Sequence, residues 1–193
     1  MKRNVTDVVP VHVKLDPPVD QPTEAQLSEL FTQAGRIVIR MQTPHSSTTA
    51  LLKKLRQNLS ALDKDEVREE LKQEISTALE AGGIPSGMIR SLMMVFVNMS
   101  MNNFELAYAG IGESIVLYLR CLSLEGLLAL REIILSGLLL RLLSEVIKQF
   151  IESRARVQLV VKREDYNMCL SYFTSAPGNL SSFYLTLYCI IAN

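Results

Sequence analysis

Tryptophan is absent from this 193-residue chain, histidine occurs twice and cysteine three times. Lysine plus arginine equals aspartate plus glutamate, at 20 each, so net charge is also missing. Each shortage excludes something. Balanced charge removes the basic footprint of a nucleic-acid binder. The cysteines, Cys121, Cys169 and Cys189, form no C-x-x-C pair. An odd, sparse set points to small buried thiols in a reducing compartment, hence the cytoplasm, and not to a disulfide framework. No continuous apolar core of a secretory leader stands near the start. The longest apolar stretch, 126–151, is broken by Arg131, Glu132, Arg141, Glu145 and Lys148. A bilayer span needs about 20 nearly uninterrupted apolar residues, so no transmembrane helix is expected. Four N-x-S/T sequons, at Asn4, Asn58, Asn98 and Asn179, have a consequence only in a secreted chain.

What is present is apolar content. Hydrophobic residues make up 48% and charged ones 21%, which suits one substantial core and rules out a mostly disordered chain. Zero net charge also predicts weak mutual repulsion, and so self-association or dependence on a partner.

Residues 1–22 hold Pro10, Pro17, Pro18 and Pro22. They read as a flexible proline-containing segment ahead of a single α+β interaction domain over 23–193. The alternation of Val9, Val11, Val13 and Leu15 also permits an edge strand. Thr23 caps a short helix that Gly35 ends, and the β-branched run 36–41 is read as the first strand. Helices follow over 46–60 and, from the Asp63-x-x-Glu66 capping box to Gly82-Gly83, over the next segment. Residues 86–100, with Met88, Met93, Met94 and Met99, read as a helix after Pro85.

Residues 104–108 and 114–121 form a hairpin whose turn glycines, Gly110 and Gly112, supply positive φ. Ser123 caps a helix to Leu135, and Ser136-Gly137 separates it from another over 138–153. A strand over 156–162 and a helix over 164–174 come next. The apolar run 182–191 fits strand and helix alike. The order predicts an α+β fold: a four-stranded sheet of 36–41, 104–108, 113–120 and 156–162, with helices on one face.

No catalytic, cofactor-binding or metal site emerges. His12 and His45 stand in no nucleophile-bearing context, and the three cysteines are too far apart to read as ligands. The chain is therefore expected not to be an enzyme. Arg154, Arg156, Lys162 and Arg163 cluster around the last clear strand; they read as a solvated face that also suits an acidic peptide.

Residues 104–173 resemble the N-terminal domain of the adaptor TRADD and related domains of invertebrate innate-immunity and death-pathway proteins. The resembling features are the glycine-led strand 112–121, the helix ending in Leu135-Ser-Gly-Leu138, a leucine-rich helix, Val157-Gln-Leu-Val-Val161, and Asp165-Tyr166-Asn-Met-Cys169. The resemblance implies a ferredoxin-like α/β sandwich with a four-stranded antiparallel sheet. It also implies an adaptor or scaffold role in death- or innate-immunity-type signalling, with a TRAF-like adaptor as protein partner.

The candidate partner surface lies on the helix after Gly137. Leu139, Leu142, Leu143, Val146 and Phe150 occupy most of its circumference, so more than one neighbour must cover it. With the methionine-rich Met93, Met94 and Phe96, they predict a homo-oligomer or a protein contact. Two alternatives remain beside this: an extracellular SEA-like module, and an all-helical viral or conflict-system effector that binds a host protein.

Overall fold

The computed structural model describes residues 6–57, 60–112, 114–151 and 155–175. Among these, the chain runs β1 (Val8–Asp16), α1 (Gln21–Met41), α2 (Ser47–Leu55), α3 (Ala61–Ala81), α4 (Ser86–Met101), β2 (Phe104–Ile111), β3 (Ile115–Cys121), α5 (Leu124–Leu135), α6 (Leu138–Phe150), β4 (Arg156–Val161) and α7 (Arg163–Thr174). The class is α+β. The four strands form one open antiparallel sheet in the order β2-β3-β1-β4.

Residues 8–16 are not a flexible lead-in but a central strand. β1 pairs with β3 on one side and β4 on the other, and Val9, Val11, Val13 and Leu15 alternate into the core. Register explains why proline is tolerated there. The carbonyl of Asp7 accepts from Cys121 N, so odd residues turn their main chain to β3 and even residues to β4. Pro10 is even, and pairing with β4 begins only at Val11. The N–H that proline lacks would have met no partner. Pro22 falls in the first turn of α1, where its missing donor is harmless.

The strand expected over 36–41 is instead the end of α1. Leu27, Leu30, Phe31, Ala34 and Val38 are buried at helical spacing, so the β-branched run continues a stripe begun upstream. The cap is Asp20, not Thr23: its carboxylate accepts from Thr23 N at 2.8 Å. That bond is the main reason the carboxyl lies below its ordinary value. Gly35 does not end the helix. A Cβ there would lie 3.2 Å from Leu106 Cδ2 and 3.3 Å from Leu106 O, so the glycine lets α1 lie against β2.

The other helices follow their caps. Ser46 caps α2, and Ser123 caps α5 by accepting from Gly126 N. The N-cap of α3 is Ser60, three residues before the Asp63 of the expected capping box. Ser60 Oγ accepts from Asp63 N at 3.2 Å and donates to Asp63 Oδ2 at 2.6 Å. Residues 86–101 are the helix expected there. The hairpin is present, but its glycines do not carry positive φ; among the described glycines that role falls to Gly83 and Gly137. The apolar run 182–191 lies outside the described residues.

One face of the sheet meets the helices. Val9, Val11 and Val13 join Phe104, Leu106, Ile115, Leu117, Leu119 and Cys121 in a single core with the helices, and Val157, Leu159 and Val161 pack against its margin. Val8, His12, Tyr118 and Val160, on the opposite face, do not belong to that core.

Candidate interaction surface

The leucine-rich helix is spent inside the molecule. Leu139, Leu142, Leu143 and Val146 are all buried, because α6 packs against α4 on one flank and against α5 and β4 on others. Gln149 Nε2 donates to Ser91 Oγ at 2.9 Å and ties α6 to α4. Phe96 is buried as well, while Met93, Met94 and Phe150 are half-buried. The surface expected on these residues is therefore corrected: five of the eight are core, and the broad apolar circumference of α6 is covered by its own chain. Met93 alone of the eight borders a described groove. That groove holds about 420 Å³ between α3 and α4, with Glu69, Lys72, Glu80 and Arg90 on its walls.

Among the described residues, the face that no helix covers is the outer face of the sheet. A register shift between Leu106 and Tyr108 inserts one residue into β2. The shift reverses the alternation, so Phe104 and Leu106 point to the core while Tyr108 points outward. Tyr108 then pairs with Tyr118 of β3, and the rings stack at 4.1 Å with 15° between their planes. Tyr108 is 48% exposed. Desolvation first, then the neighbouring Tyr118, raise the pKa of its hydroxyl. Val8, Pro10 and Val160 continue the face across β1 and β4, while Val116 on β3 shares that side but is itself buried. Arg120 closes one end by pairing with Glu105 at 3.4 Å and Asp7 at 3.6 Å.

Comparison with known proteins finds no family model, no curated protein and no solved structure that matches this chain. The surface stands on its own chemistry.

His12 lies on the outer face opposite Val160, and His45 sits exposed in the turn before α2 at φ 69°. The two thus lie in different places, and neither stands beside a cysteine in the sequence. Cys121 and Cys169, far apart in sequence, meet in the core. Their mutual hydrogen bond, then burial, push the Cys121 thiol far above its ordinary value, which makes it a poor nucleophile. Among the described residues no group of three or more His, Cys, Asp or Glu side chains comes together to hold a metal ion, and no helix is long and apolar enough to cross a membrane.

Sequence reasoning did not single out Tyr108 or Tyr118. The available signal was β3 itself, where Val116, Tyr118 and Arg120 alternate with Ile115, Leu117 and Leu119. Tyrosine opposite a leucine face is the composition of a strand with one side open.

Proposed function

We propose that this chain is a protein–protein interaction domain, an adaptor or scaffold and not a catalyst, which meets its partner with the outer face of its sheet. One observation carries the proposal: a sheet with an aromatic and β-branched outer face that no described helix covers. Aromatic residues in the centre of a patch with charges at its rim are the composition of interface cores.

Strand order β4-β1-β3-β2, with helices between β1 and β2 and between β3 and β4, supports a ferredoxin-like reading of the fold. The resemblance of 104–173 to the N-terminal domain of TRADD then suggests cytoplasmic death- or innate-immunity-type signalling. The buried thiols of Cys121 and Cys169 are compatible with that compartment. Two partners suit the face, a second copy of this chain and a TRAF-like adaptor. The zero net charge favours the first and disfavours nucleic acid.

The alternatives lose ground. The four-stranded sheet overturns an all-helical effector. The SEA-like reading drew on the sequons, and Asn98 lies inside α4 with its Nδ2 donating to Met94 O at 2.8 Å, a poor glycan acceptor.

The test is a Tyr108→Asp/Tyr118→Asp variant. It is expected to keep the far-ultraviolet spectrum of the parent and to lose self-association in sedimentation and capture by TRAF-type adaptors. A parent that sediments as a strict monomer and captures none of those adaptors would overturn the proposal.

A further inference from the structure

The two edges of the sheet are finished differently. In β2 the main chain of Ala109 faces outward, and Thr32 of α1 closes it. Thr32 Oγ1 accepts from Ala109 N at 3.0 Å and donates to Ala109 O at 3.4 Å. In β4 the register turns the main chains of Arg156, Gln158 and Val160 toward β1, and those of Val157, Leu159 and Val161 outward. No described residue bonds to those outward groups. A row of unpaired N–H and C=O groups is a template for one more strand.

We propose that β4 binds an extended acidic peptide as a fifth strand of the sheet. This rests on the reading of the chain as an interaction domain and specifies the chemistry of one partner. Charge selects the occupant. Arg156 begins β4, Lys162 and Arg163 follow it, and none of the three forms an ion pair with a described residue. Lys14 lies beside Gln158 on β1. Asp16 stands opposite Arg156 in register without pairing with it. Glu164 and Asp165 occupy the first turn of α7, where the helix dipole already favours negative charge.

A second β4 laid antiparallel would bring Arg156 near Lys162 of the other copy, and like charges in opposed positions destabilise a strand pair. The cations therefore guard the edge against self-pairing and favour a strand of opposite sign. Carboxylates opposite Arg156 and Lys162, at the two ends of the added strand, satisfy both. Apolar residues between them, on the core side, extend the cover over the half-buried Val157, Leu159 and Val161.

Fluorescence anisotropy tests this with an end-blocked eight-residue peptide that alternates glutamate and valine, against its lysine–valine counterpart. The glutamate peptide is expected to bind the full chain at least tenfold more tightly, and less tightly as salt rises. Val161→Pro removes an outward N–H and spares the ladder to β1; it should weaken that binding at least tenfold at nearly unchanged Tm. If this variant melts early, Arg156→Glu/Lys162→Glu decides the matter by reversing the preference between the two peptides. Equal affinity for both peptides, no binding of either, or binding indifferent to the charge reversal overturns the inference. So does dimerisation of the free chain that Val161→Pro abolishes, because it would make a second copy the occupant. The peptide outcomes leave the outer-face reading untouched, because that reading is tested by association of the parent chain and its loss in the tyrosine variants.

Discussion

At the residue scale, the glycines separate packing from chain entropy. Gly126 lies in the first turn of α5. A Cβ there would lie 2.1 Å from Asn103 O, and that carbonyl cannot retreat freely because it accepts from Leu122 N at 2.9 Å. Gly126→Ala should therefore cost about 2–3 kcal/mol, the upper part of the range for overpacking, measured by urea unfolding. Gly87, in the first turn of α4, has nothing within 4 Å of the same position. Gly87→Ala should stabilise by about 0.5–1 kcal/mol, since alanine loses less freedom on entering a helix. Asp20 offers a prediction in pH. The amide of Thr23 holds its carboxyl below the ordinary value of 3.8. Its contribution is thus complete above that pH and is lost as pH falls through the depressed value. Thr23 amide protection, followed by hydrogen exchange, should drop over that acid range. Asp20→Asn keeps the capping oxygen without the charge and should leave the profile flat.

At the scale of elements, α6 decides between a core helix and a partner-facing one. Leu142 is 6% exposed, so Leu142→Asp buries a charge without a counter-ion. The cost, more than about 4 kcal/mol, is a large part of the stability of a typical domain. The variant should lose its cooperative melt by circular dichroism, whereas Glu145→Ala on the exposed side of the same helix should shift stability by less than about 0.5 kcal/mol. A folded Leu142→Asp would show that α6 is not core. Most helices were legible from caps and periodicity: Ser46, Pro85, Ser123 and Gly137 all stand where their elements begin. The two errors share a cause. Residues 36–41 are β-branched and 8–16 carry proline, so local composition favours a strand in the first and a linker in the second. Tertiary placement reverses both: the α1 stripe continues through Val38, and Pro10 falls where β4 has not yet begun. The candidate site was legible only in kind. An apolar helix announces burial against several neighbours but cannot say whether they belong to its own chain, and the bulge that turns Tyr108 outward leaves no mark in the alternation of β2.

At the scale of the whole molecule, the sheet is unequally anchored. β3 and β1 are central, and β2 is held by α1 through Gly35 and Thr32. Among the described strands β4 pairs with β1 alone, its side chains are at best half-buried, and α7 after it contributes one buried residue, Cys169. Segments with few buried contacts open below the global unfolding free energy, so β4 and α7 should open first. Strand β1 gives this a signature within one element. The amides of Val9, Val11 and Val13 face β3, and those of His12 and Lys14 face β4. Native-state hydrogen exchange at rising denaturant should show His12 and Lys14 exchanging with β4 and α7, while their odd-numbered neighbours follow global unfolding. If odd and even amides of β1 merge into one isotherm, the sheet opens as a unit. In that case β4 is as firmly seated as the strands beside it, and an added fifth strand would gain nothing from ordering it.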